Sequence, residues 1–122
     1  MMNFIKLALI GLALGSTASI ADECTAPTVP TLPDGATASM EQMLKGQEAV
    51  KAYQTVNTEY RTCLEPKITT AEDAAAGDSP GPELQETLKQ LNEEYNASVS
   101  KEEELADKFN KERSAYMDAN ND

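Results

Sequence analysis

A chain of 122 residues has room for one domain, and with no tryptophan and 5% aromatic residues its core must be thin. Ten basic residues against 21 acidic ones give a net charge of −11, which argues against nucleic acid and anionic membrane surfaces, since both bind through lysine and arginine. The absence of histidine removes the commonest general base and a frequent metal ligand.

The chain opens MMNFIKLALIGLALGSTASIA. Lys6 and the amino terminus make a positive start, and Leu7 to Leu14 is apolar except for Gly11. Ser19-Ile20-Ala21 then offers small residues at the two positions a signal peptidase reads. This predicts a cleavable signal peptide over residues 1–21, cut after Ala21, and a periplasmic or secreted protein. The alternative is an uncleaved anchor, but the apolar run is shorter than the roughly 20 residues a spanning helix needs. Asp22 and Glu23 next to Cys24 do not resemble a lipoprotein signal. Loss of the leader removes Lys6 and no acid, so the exported part is more negative still. That charge reads as a solubility feature and also permits a basic partner.

Cys24 and Cys63 both lie beyond the leader, and an even pair in an oxidising compartment predicts a disulfide. Residues 22–38 carry prolines at every third position, Pro27, Pro30 and Pro33, which is the period of polyproline II. Pro33-Asp34-Gly35 signals a turn. Ser39 with Gln42 three residues on makes a capping box, so a first helix is predicted from Met40 to about Leu64, ending before Pro66. Met43, Gly46, Val50, Tyr53, Asn57, Tyr60 and Leu64 follow alternating steps of three and four, the seam of a helix packed at a shallow angle on another.

Residues 66–81 read as a loop in which Ala71 to Ala76 suits a helical turn or two. A second helix is predicted over 82–117, with Pro82 at its first position. Its seam runs Leu84, Leu88, Leu91, Tyr95, Ser98, Glu102, Leu105, Phe109, Glu112, Tyr116. Glu104–Lys108 and Asp107–Lys111 are i,i+4 pairs, and the tail 118–122 is expected to fray. Glu102 on the apolar stripe reads as a solvated gap. The sharper reading pairs it with a basic residue of the first helix or of a second chain.

The predicted fold is all-α: a polyproline segment packed on an antiparallel two-helix hairpin, closed by one disulfide. From Ser39 to Cys63 a helix rises roughly 36 Å, and a polyproline-like chain from Cys24 to Ser39 covers up to about 46 Å. A reversal at Pro33-Asp34-Gly35 therefore lets Cys24 reach Cys63, with the prolines against Tyr53 and Tyr60. Prolines three apart from Pro27 to Pro33, a turn, then Met40-Glu41-Gln42-Met43 opening a tyrosine-bearing helix resemble the pancreatic polypeptide hormones over about a third of the chain. The disulfide, the long second helix and the absence of a basic C-terminal tail depart from the hormones, so the resemblance concerns packing and carries over no receptor function. The string C-x-A-P-x-x-P-x-x-P-D-G before a Met- and Tyr-bearing helix also looks like small exported bacterial proteins of unknown role.

No catalytic residue and no cofactor site is predicted. Adjacent acids such as Glu93-Glu94 and Glu102-Glu103-Glu104 point to different sides of a helix. Asp118-x-Asn120-x-Asp122 begins like a calcium loop but lacks its glycine and bidentate glutamate. Asn96-Ala97-Ser98 fits a glycosylation acceptor inside the second helix and carries little weight. Met40 and Met43 read as packing; as soft ligands for cuprous copper, with Met117 distant, they form the alternative. A second helix of about 50 Å would overhang a first helix of about 38 Å and leave apolar surface for a partner. The expectation is an exported, non-enzymatic interaction module: an adaptor, chaperone-like or inhibitory protein. It would contact another envelope protein or a second copy of itself through Tyr95, Leu105, Phe109 and Tyr116. The alternative function is a low-affinity cation or copper buffer.

Overall fold

The computed structural model describes residues 23–77 and 79–121. The signal-peptide reading of residues 1–21 falls outside them. Two long helices, α1 (Met40–Ala75) and α2 (Pro82–Ala119), pack against each other as a hairpin, and there is no strand among the described residues. The Ser39 hydroxyl accepts from the Gln42 N–H at 3.2 Å while the Gln42 side chain accepts from the Ser39 N–H at 2.8 Å, so both halves of the capping box form.

Every seam position named for the first helix is buried: Met43, Gly46, Val50, Tyr53, Asn57, Tyr60 and Leu64. On α2 only Ser98 and Leu105 are fully buried. The main core cluster lies in the half of the hairpin away from the loop, where Val50, Tyr53 and Leu105 meet with Leu32 and Phe109 packed around them.

The third layer is the arm, residues 23–38. Cys24, Pro27, Pro30 and Pro33 are half-buried while their neighbours Thr25, Ala26, Thr28, Val29 and Thr31 are exposed, so one residue in three faces the helices. Cys24 is bonded to Cys63 with their Cα atoms 5.7 Å apart. The Asp34 carbonyl accepts from Thr37 and Ala38, and its side chain accepts from Ala36, which closes the turn into α1.

The first helix does not stop before Pro66; it runs on to Ala75. An interior proline costs a helical hydrogen bond and crowds the carbonyl four residues back, here that of Thr62. Thr62 and Pro66 are both exposed, so water can take the freed carbonyl, while Ala71 beyond them is buried. Burial of the turns beyond Pro66 outweighs this local penalty. The expected loop thus shrinks to Ala76–Gly81, where Ser79 takes a left-handed conformation at φ 59°. At 36 and 38 residues the helices are about 54 Å and about 57 Å long, and the expected overhang of the second does not exist. Its C-terminus also runs past Tyr116 to Ala119, capped by the Asn120 side-chain amide donating to the Tyr116 carbonyl at 2.8 Å. The i,i+4 pair Lys108–Glu104 closes at 3.1 Å.

Candidate functional site

Three regions of the hairpin combine chemistry and geometry in ways a plain apolar seam would not. The first is polar and central. Asn57 is 1% exposed and Ser98 4% exposed; the Asn57 amide donates to the Ser98 carbonyl at 2.9 Å and accepts from the Ser98 hydroxyl at 2.7 Å. One turn along α1, Arg61 donates to the Ser98 hydroxyl at 3.2 Å and meets the Glu102 carboxylate at 3.4 Å. Glu102 is therefore no solvated gap: it pairs with a basic residue of the first helix. Its second oxygen, Oε1, is buried without a protein partner. Burial raises the Tyr53 hydroxyl above its ordinary pKa, the Glu102 charge adds to that, and Arg61 opposes it. Tyr60 is raised by burial and then by Glu94.

This network holds the antiparallel register, because a slip would leave buried amide and hydroxyl groups unpaired. Asn57→Ala should cost about 2 kcal/mol, since it removes the acceptor of the buried Ser98 hydroxyl proton and opens a void. Urea unfolding of the variant checks this; a loss under about 0.5 kcal/mol would mean water replaces the amide without penalty. The signal was present in the sequence. Asn57 and Ser98 are the uncharged polar positions of their seams, and pairing them sets Gly46 level with Phe109 and Val50 level with Leu105. Both pairs are packed together in the structure. In that register Arg61 is level with Glu94, and it meets Glu102 because both long side chains reach back along their helices toward the Asn57–Ser98 pair.

The second region is a groove of about 530 Å³ near the loop, between Pro66, Thr70 and Ala74 of α1 and Leu84, Thr87 and Leu91 of α2. Pro66, Thr70 and Ala74 lie three, seven and eleven residues after Cys63, so they continue the helix face to which the arm is bonded. Among the described residues the arm reaches no farther than that bond. Past it no third layer exists among the described residues, and Leu84, Leu88, Leu91 and Tyr95 are only half-buried.

The third region is at the opposite end. Met40, Met43 and Met117 line one pocket of about 310 Å³ together with Phe109, Arg113 and Tyr116. Met117, distant in sequence, is brought to the other two by the antiparallel hairpin. No three acidic or cysteine side chains converge as a metal site among the described residues.

The residues expected to contact a partner separate accordingly. Leu105 is 2% exposed and belongs to the core, with Phe109 packed on it, so neither forms the free surface that an overhang would have supplied. Tyr95 lies between the helices next to Ile68, Thr69 and Asn92, near the loop end. Tyr116 lines the methionine pocket. Ser98 of the glycosylation triplet is buried in the polar network. No helix among the described residues is long and apolar enough to cross a membrane. Compared with known protein families, with characterised proteins and with solved structures, the chain matches none.

Proposed function

We propose that the chain is exported and acts as a non-enzymatic interaction module, an adaptor, chaperone-like or inhibitory protein, through the groove beyond the Cys24–Cys63 bridge. The observation that carries this reading is the unfinished third layer. Up to Cys63 an arm covers the groove between the helices; from Pro66 and Leu91 to the loop no described residue covers the same groove, whose lining is apolar and small apart from Lys67. A partner segment laid there would extend the line of the arm and bury Leu84 and Leu91, each worth on the order of 1 kcal/mol for the part still exposed. Lys67 lines the groove itself, but the four acids Glu72, Asp73, Glu83 and Glu86 outnumber it on the surrounding stretches of helix, so an amphipathic partner helix with basic flanks is the best match.

A photo-crosslinking side chain placed at Thr87 or Thr70 should trap one partner at the envelope, while the same side chain at Lys51, exposed at mid-helix and outside the groove, should trap none. An adduct of twice the chain mass identifies the partner as a second copy. No adduct from Thr87 and Thr70, or the same adducts from all three positions, rules this surface out.

A further inference from the structure

All three methionines beyond Met2 meet at the end of the hairpin farthest from its loop. Met40 and Met43 sit three apart on the first turn of α1, hence on one face, and Met117 reaches the same pocket from the last turns of α2. Met43 is 7% exposed and forms the floor, whereas Met40 at 64% and Met117 at 57% form an open rim. Packing alone accounts for Met43. It does not account for two large apolar side chains left mostly in water on either side of it.

The chemistry of the lining selects an occupant. Both cysteines are consumed by the bridge, so the thioethers are the soft donors that remain in the described chain. A thioether is neutral and polarisable, a poor ligand for hard divalent ions and a good one for a soft monovalent ion, which accepts three sulfur ligands without requiring charge from them. Arg113 lines the same pocket, and the α1 N-terminus lies beside it; both oppose a cation held by simple attraction. An ion bound there must be held by sulfur coordination. We propose that Met40, Met43 and Met117 form a three-thioether binding site for a soft monovalent metal ion of the cuprous class. It uses residues separate from the groove near the loop, so either proposal can fail without the other.

The test is titration of silver(I), which needs no reductant that would open the bridge, into the oxidised chain while the methionine methyl groups are followed by NMR. One equivalent should shift all three methyl resonances and saturate them together. Thioethers take up no proton in the range where carboxylates do, so the affinity should be unchanged between about pH 7 and about pH 4. The double variant Met40→Leu/Met117→Leu replaces exposed thioethers by side chains of similar volume and should keep the same thermal midpoint. It should weaken silver binding by roughly tenfold or more. Arg113→Gln should tighten it. The proposal is overturned if the methyl resonances stay still, if binding persists in the leucine variant, or if affinity falls with pH as carboxylates protonate. Each of those results assigns the bound metal, if any, to the acidic surface.

Discussion

Replacing both cysteines, Cys24→Ser with Cys63→Ser, should lower stability by about 4 kcal/mol, the largest effect of any change considered for this chain. The bridge spans 39 residues of sequence, and closing a loop of that size in the unfolded chain carries a chain-entropy cost of this order. Little else holds the arm's first half. Among the described residues no hydrogen bond involves a residue from Glu23 to Pro33, which leaves the half-buried prolines and Leu32 as its attachment. For a domain of this size the loss corresponds to a fall of about 20 °C in thermal midpoint. The helices should survive, because their seam, caps and polar network do not include the arm's cysteine. Circular dichroism at low temperature should therefore stay helical, while urea unfolding shifts to much lower denaturant. A shift under about 1 kcal/mol would show that the prolines anchor the arm unaided.

Gly35→Ala should destabilise by about 3 kcal/mol through steric overlap alone. The residue is buried where the turn crosses onto α2, and its N–H donates to Glu112 Oε2 at 2.6 Å. A Cβ at this position would fall on the Glu112 carbonyl oxygen, 2.6 Å from the carbonyl carbon and 3.0 Å from the Tyr116 nitrogen. All three are hydrogen-bonded backbone atoms of α2 and cannot turn aside as a side chain would. The turn must lift, losing the Glu112 hydrogen bond and the contact of Pro33 with Gly46. Gly77→Ala provides the comparison, because a Cβ there meets nothing closer than the Ala74 carbonyl oxygen at 3.4 Å. Thermal unfolding of the two variants should differ by at least about 2 kcal/mol; equal midpoints would mean that the turn does not rest on α2.

Much of the architecture was legible in the sequence because its determinants are local or strictly periodic. The Ser39–Gln42 cap, the turn at Asp34, the inward prolines of the arm and the seven seam positions of α1 all follow from spacing. The cysteine pair follows from their even count together with the expected oxidising compartment. Pro66 was misread because a rule about one residue competed with packing in the turns just beyond it: Thr62 is exposed, so water can take its freed carbonyl, and the helix continues to bury Ala71. That single error produced a false overhang, and with it the assignment of Leu105 and Phe109 to a free surface, whereas Leu105 is core and Phe109 is half-buried against it. The Arg61–Glu102 pair was harder to see, since it needs the register between two helices, which no single helix contains. The methionine pocket was hidden for the same reason, Met117 being brought to Met40 and Met43 only by the hairpin's closure. The groove near the loop depends on where the arm stops, and Cys63 had marked that point from the beginning.

The bridge joins the arm to α1 and leaves α2 attached to the rest only by the peptide linkage through Ala76–Gly81. Two molecules that exchanged their second helices would therefore re-form the Asn57–Ser98 and Arg61–Glu102 contacts across chains, with each disulfide still inside its own chain. Such an exchanged dimer would migrate as a single chain on a denaturing gel without reductant. Its formation would be governed by how readily α2 swings out about the left-handed Ser79, and shortening that connection would favour exchange over closure.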